Sequence, residues 1–274
     1  MIRRLGLMLV TAATVIAGPA TTALSDTVTA VAHRGASAYA PENTVAAVEL
    51  AAAQGADMVE VDVQETRDHQ LVLMHDTTLA RTTDVESVHP GLSPWRVADL
   101  TLAQIRRLDA GSWFGRQYAG QRVPTLAEVL DVAGDAGVGL LVELKDPRLH
   151  PGVEERLAAE LRRDPAWLRD GRLVVQSFDW ASMQTFHRLL PGVPVGLLGR
   201  APTSRLAELA RYADQVNPPY ETLSAEYVKL VHQAGLRVFA WTVDSPDAMR
   251  RMIAYGVDGV ITNRPRVLRE VLSG

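Results

Sequence analysis

Along the chain, short β-branched apolar runs alternate with stretches in which apolar residues recur at helical spacing. The runs fall at residues 28–33, 57–63, 70–75, 139–144, 172–177, 194–198, 214–217, 237–242 and 258–262. Most are apolar at successive positions, as in Leu140-Leu141-Val142 and Val257-Asp258-Gly259-Val260-Ile261. That is the pattern of parallel strands covered on both faces. Helical stretches lie between them at 43–54, 125–136, 152–163, 180–190, 203–212, 224–234, 246–255 and 264–272. Gly55, Gly137, Gly235 and Gly256 stand just past helix ends, where a left-handed residue closes the last turn. The repeat predicts an α/β fold, a (β/α)8 TIM barrel. An open doubly wound sheet is the runner-up, weakened because no glycine-rich dinucleotide fingerprint follows the first strand.

Nine runs are one too many for eight barrel strands. The loop from Gln64 to His69 is too short for a parallel crossover, which needs about a dozen residues. Runs 57–63 and 70–75 should therefore form an antiparallel hairpin. Folding the chain about Asp68 sets His75 beside Val61 and Asp62, at the barrel mouth. Residues 77 to about 120 break the rhythm with Thr77-Thr78, Gly91, Pro94, Gly111, Gly115 and Gly120, and with a helical piece near 96–108. They read as a small insertion after the hairpin that follows the second barrel strand. Trp95, Trp113 and Phe114 are expected to form its own small core.

Composition narrows the class. The 274 residues are 47% hydrophobic and 22% charged, enough for a large globular core. A formal charge of −4, with no run of Lys or Arg, argues against a nucleic-acid partner. The absence of cysteine excludes disulfides, thiolate metal sites and a lipid-anchored cysteine. Residues 1–25 read as a signal peptide: Arg3-Arg4 as the positive region, Leu5 to Ala17 as the apolar run, Ala23-Leu24-Ser25 as the cleavage site. The match to a twin-arginine signal is poor. A secreted mature domain, 26–274, is expected, its charge moved from −4 to −6 by loss of the two arginines. No stable membrane insertion is expected after cleavage.

The chemistry-bearing residues sit at strand ends. The first strand stops at His33-Arg34-Gly35. Glu60 and Asp62 are two apart on one strand and so share a face, and Glu143 and Lys145 are paired the same way on the next parallel strand. Carboxylates inside apolar strands are costly unless paired or bound to a cation. The plainer reading is a set of buried ion pairs with Arg34 and Lys145. Three acids converging at a barrel mouth favour a hard divalent ion, Ca2+ or Mg2+, over a soft metal. His33 and His75, at neighbouring strand ends beside these acids, are the acid/base candidates. His69, His89, His150, His187 and His232 fall in loops or on helices and read as surface or packing residues.

His33-Arg34-Gly35 with Ser37 and Pro41-Glu42-Asn43-Thr44 resembles the opening signature of glycerophosphodiester phosphodiesterases. Glu60-Val61-Asp62-Val63, Thr66, Asp68, Leu73-Met74-His75-Asp76, Pro124-Thr125-Leu126 and Glu143-Leu144-Lys145 continue it. So do Gln176-Ser177-Phe178, Trp241-Thr242-Val243 and Asp258-Gly259-Val260-Ile261-Thr262, over about residues 29–269. The resemblance implies a (β/α)8 barrel with a small insertion after the hairpin histidine. It implies hydrolysis of small glycerophosphodiesters, such as glycerophosphocholine or glycerophosphoethanolamine, to sn-glycerol 3-phosphate and an alcohol. By position it implies metal ligation by Glu60, Asp62 and Glu143, acid/base work by His33 and His75, and phosphate contact by Arg34 and Lys145. Trp241 would line the pocket. His33 is the preferred base and His75 the preferred acid, with water or the glycerol 2-hydroxyl as nucleophile. Two positions depart from the family pattern: Asp244 stands where Asn is usual and Asn263 where Asp is usual. Both are expected at the rim or just behind the residues that touch substrate, affecting substrate fit more than chemistry. The alternatives are phospholipase D-type cleavage of lipid headgroups and a non-catalytic extracellular barrel.

Overall fold

The computed structural model describes residues 28–169 and 171–274. The leader expected at 1–25 lies outside the described residues. One sheet contains β1 (Thr29–His33), β2 (Met58–Glu65), β3 (Leu71–Leu73), β4 (Gly139–Leu144), β5 (Leu173–Ser177), β6 (Val195–Leu198), β7 (Gln215–Asn217), β8 (Arg237–Ala240) and β9 (Gly259–Thr262). β1 pairs in parallel with both β2 and β9, so the sheet closes on itself. The wall is a barrel of parallel strands, and β3 is an antiparallel partner of β2. Val63 lies opposite Leu73 and Glu65 opposite Leu71. Continued outward, that register brings His75 level with Val61, as expected from a chain folded about Asp68.

Helices follow the barrel strands at Val45–Ala53, Leu126–Asp135, Val153–Leu161, Trp180–Leu189, Leu206–Leu209, Ala225–Gln233, Pro246–Tyr255 and Pro265–Leu272. Several begin where a side-chain oxygen accepts from a free backbone N–H of the first turn. Thr44, Thr125, Asp179, Ser224 and Ser245 do this, Thr125 within a capping box with Glu128.

The apolar residues divide into two layers. One lies between sheet and helices, with Val59, Val61, Leu140, Val142 and Val175 packed in the same cluster as Leu126, Leu157, Phe186 and Met252. The other fills the barrel: Val31, Met58, Leu141, Val174, Phe239 and Ile261. Full burial of each such side chain contributes ~1.5–3 kcal/mol, so the interior floor is rigid as well as dry.

The insertion packs Val85, Val97, Leu100, Ile105, Leu108 and Val123 onto Val72 and Met74 of the hairpin. Its core is aliphatic rather than aromatic. Trp95 packs only at its edge, and Trp113 is 42% exposed, edge-on to Phe114. The helical piece expected near 96–108 is interrupted. A turn at Val97–Asp99 ends at an extended Leu100, and a helix restarts at Leu102–Ile105 behind the Thr101–Gln104 capping box. Among the described residues, no helix is long and apolar enough to cross a membrane.

Candidate active site

The barrel interior turns polar two residues along from its apolar floor. On β1 the step is from Val31 to His33; on β2, from Met58 to Glu60 and Asp62; on β4, from Leu141 to Glu143; on β5, from Val174 to Gln176. Period-two alternation puts each of these on the same face as the floor residue below it, at the carboxyl ends of the strands. Gly196 on β6 leaves room for this layer. A Cβ there would lie 2.8 Å from Asn217 Nδ2, and that amide donates to Gln176 Oε1 at 2.6 Å.

His33, Arg34, Glu60, His75, Glu143, Lys145, Phe178 and Trp241 line one cavity of about 130 Å³. Glu60, Asp62 and Glu143 each offer an oxygen, and these oxygens lie within 4.8 Å of one another. All three residues are buried. Every residue singled out from the sequence is therefore brought to one place.

The chain positions these groups by specific contacts. After β1 it turns sharply, with Arg34 at φ 56° and Gly35 at φ 83°. A Cβ on Gly35 would stand 2.6 Å from the Ala47 backbone, so the close approach of the first helix requires glycine there. The turn aims the Arg34 backbone N–H at Glu60 Oε2, 2.8 Å away. Arg34 Nε lies 3.2 Å from Asp62 Oδ2 without hydrogen-bond alignment, so that contact is electrostatic. Lys145 Nζ is 2.8 Å from Glu143 Oε1 and 3.6 Å from Asp62 Oδ1. Asn43 donates to Asp62 Oδ2 at 2.8 Å and accepts from the Asp62 backbone N–H at 3.1 Å. It takes φ 57° to do so, leaving the helix cap to Thr44.

The carboxylates outnumber the cations that meet them. Burial, then the nearby Asp62, pushes Glu143 up to about 7. Burial, with Asp62 and Glu143, pushes Glu60 well up. Burial would raise Asp62 too, but Arg34 and Lys145 outweigh it and hold that carboxyl below its ordinary value. A set of hard oxygen donors carrying this much mutual repulsion fits a divalent cation.

The two histidines have different partners. His33 Nδ1 is 2.7 Å from Asn263 Oδ1, and burial followed by Arg34 lowers its pKa to about 4, against that hydrogen bond. His75 Nδ1 is 2.7 Å from Asp76 Oδ1. Asp76 in turn accepts from Arg81 Nε at 2.6 Å, and Arg81 donates to both oxygens of Glu42 at 2.8 and 2.9 Å. Glu42 also accepts from Arg34 at 3.0 Å. A continuous charged chain thus joins Arg34 to His75 through the first residues of the insertion. Arg81 was not singled out from the sequence, and Asp76 entered only within the Leu73-Met74-His75-Asp76 motif, without a role. Asn263, expected at the rim or just behind the residues that touch substrate, lies directly against His33. His69, His89, His150, His187 and His232 stay outside the cavity.

Residues 33–267 match the model of the glycerophosphoryl diester phosphodiesterase family. The chain belongs to that family. By family it is an enzyme, a phosphodiesterase. A glycerophosphodiester phosphodiesterase of Bacillus subtilis is 38% identical over 91% of this chain and 88% of its own length. One from Caldanaerobacter subterraneus is 38% identical over 87% of this chain and 95% of its own. Among solved structures, an Oleispira antarctica phosphodiesterase, in complex with the product sn-glycerol-3-phosphate, superposes with a TM-score of 0.81 at 29% identity. The alignment covers 90% of this chain and 97% of that one. The glycerophosphodiester phosphodiesterase of Agrobacterium tumefaciens gives 0.74 at 27% identity, over 89% and 99%.

Proposed function

We propose that the protein is an exported, divalent-metal-dependent enzyme that hydrolyses small glycerophosphodiesters to sn-glycerol 3-phosphate and an alcohol. The observation that carries this reading is one cavity lined by His33, His75, Arg34, Lys145, Glu60 and Glu143, with the Asp62 carboxylate clustered against those two acids. Glu60, Asp62 and Glu143 would hold Ca2+ or Mg2+, both of which take oxygen ligands. When bound, the cation would offset the negative charge that a phosphodiester presents to an attacking oxygen.

The remaining work falls to side chains. Arg34 and Lys145 contact the phosphoryl oxygens and stabilise charge as it builds there. His33, neutral at pH 7 because burial holds its pKa near 4, accepts the proton of the attacking hydroxyl or water. His75 donates a proton to the departing alcohol oxygen, its ring oriented by Asp76. Trp241 and Phe178, edge-on at 5.8 Å, form an apolar wall against the glycerol carbons.

The cavity is too small for a whole diester. It shares Glu143, Lys145 and Phe178 with an adjoining groove of about 480 Å³, which also includes Asp146, Arg148, Leu149 and Asp179. A choline or ethanolamine leaving group fits that groove. Export rests on the sequence pattern of residues 1–25.

Incubation with glycerophosphocholine and, separately, with intact phosphatidylcholine tests the substrate class. Release of sn-glycerol 3-phosphate and choline from the first alone is expected. Choline released only from the lipid would replace this reading with phospholipase D-type cleavage. Fractionation of expressing cells with N-terminal sequencing tests export: the mature form, begun near residue 26, is expected outside the cytoplasm, and retention inside with the leader intact would contradict it.

A further inference from the structure

Three acceptor contacts at Asp244 decide something that neither histidine can decide for itself. Asn263 Nδ2 donates to Asp244 Oδ2 at 2.6 Å. The Asn263 backbone N–H donates to Asp244 Oδ1 at 2.8 Å, and Thr262 Oγ1 donates to the same oxygen at 3.0 Å. A carboxylate can only accept. The Asn263 side chain must therefore turn its NH2 group toward Asp244, which leaves Oδ1 facing His33 Nδ1 and Ser37 Oγ, each 2.7 Å away. The Ser37 hydroxyl also lies 2.7 Å from the His33 carbonyl oxygen, and its one proton can reach only one of these two oxygens, so Ser37 alone would favour the reversed amide. The Asp244 carboxylate, 2.6 Å from the same amide, outweighs it, because an amide oxygen turned toward a carboxylate meets a full negative charge.

We propose that Asp244, acting through Asn263, fixes His33 in the tautomer that carries its proton on Nδ1 and leaves Nε2 free to accept one. Facing an amide oxygen, Nδ1 must be protonated. Facing an amide NH2, it would be the acceptor and Nε2 would carry the proton, which disables the ring as a base. Asp244 does not line the site cavity, although it borders an adjoining groove of about 320 Å³ with His33 and Arg34; it acts on His33 through Asn263 and is a positioning residue. An acceptor-only group must occupy one of the two positions. With Asn at 244 and Asp at 263, the carboxylate would itself face His33 Nδ1 and enforce the same tautomer.

The catalytic half of the proposal rests on His33 serving as the base; the tautomer half does not. Two-bond ¹H–¹⁵N spectra of the full chain, with the His33 ring assigned from a His33→Gln sample, read the tautomer without any turnover. The wild type is expected to show Nδ1–H with an unprotonated Nε2. In Asp244→Asn the Asn263 amide reverses, His33 changes to Nε2–H, and kcat falls about 100-fold at similar KM, as loss of a general base entails. Adding Asn263→Asp to that variant restores Nδ1–H and raises kcat at least tenfold over the single variant. Asn263→Asp alone, with carboxylates facing each other across 2.6 Å, gives no such rescue.

An Nε2–H ring in the wild type overturns the proposal outright. So does a double variant that is folded and no faster than Asp244→Asn. Tautomer reversal with kcat intact would overturn the catalytic half. If Asp244→Asn does not fold, the wild-type and double-variant spectra still decide. A wild type with the expected tautomer and no diesterase activity would count against the proposed function instead.

Discussion

Cation affinity should depend steeply on pH, and the structure sets the direction and scale. Only the ionised carboxylates can ligate, and burial beside Asp62 pushes Glu143 up to about 7 in the cation-free site. A raised carboxyl means that the free site holds a proton that the cation must expel, so binding strengthens as pH rises and weakens as pH falls through 7. For one such group, affinity at pH 6 is about tenfold below its high-pH limit, and at pH 5 about a hundredfold, or ~3 kcal/mol. Glu60, also pushed up, steepens the fall. Asp62, held down by Arg34 and Lys145, adds nothing over this range. His33, whose pKa is near 4, remains neutral throughout and does not compete. Titration of chelator-treated protein with Ca2+ by calorimetry from pH 5 to 8, in buffers of different ionisation enthalpy, measures both affinity and proton release. An affinity that is flat across that range, or binding without proton release at pH 6, would refute the assignment of these carboxylates as ligands.

Further expectations follow from the same contacts. Glu143→Gln removes a buried charge while Lys145 keeps Asp62 nearby. Chelated protein carrying it should melt higher than wild type at pH 8 by scanning calorimetry, although activity is lost. His75→Ala should keep the fold, by circular dichroism, and lower kcat at least ~100-fold; near-normal turnover would remove its acid role. Arg81→Ala cuts the chain between Glu42 and Asp76, and should lower kcat about tenfold with little change in melting temperature, because Arg81 is 44% exposed. Gly35→Ala forces a Cβ against the Ala47 backbone at positive φ. It should cost ~2–4 kcal/mol in urea unfolding, and an unchanged midpoint would contradict the close approach.

Much of the fold was legible because parallel strands, buried on both faces, announce themselves as unbroken apolar runs. Val59, Val61, Leu140 and Val142 face the helices, while Met58 and Leu141 face the barrel interior. Glu60, Asp62 and Glu143 interrupt those runs where the interior becomes polar, and so they stood out. The hairpin followed from the shortness of the Gln64–His69 loop, and its register from folding the chain about Asp68. What could not be read depends on closure. Asn263 and His33 are 230 residues apart and meet only because β9 pairs with β1. Asp244 joins them through the loop after β8, where composition carries no period. Arg81 reaches Glu42 from the insertion, whose short turns leave no amphipathic pattern to extrapolate. The break at Leu100 was in principle readable from Thr101 and Gln104, a start signal inside what looked like one helix.

Hydrolysis of a glycerophosphodiester in this cavity, with a divalent cation held by Glu60, Asp62 and Glu143 as proposed, is tested by product analysis of glycerophosphocholine incubated with the purified enzyme, before and after EDTA and after restoration of Ca2+ or Mg2+. Equimolar sn-glycerol 3-phosphate and choline, loss of both on chelation, and recovery with the added ion are expected. Full turnover in EDTA, or release of glycerol and phosphocholine instead, would contradict it.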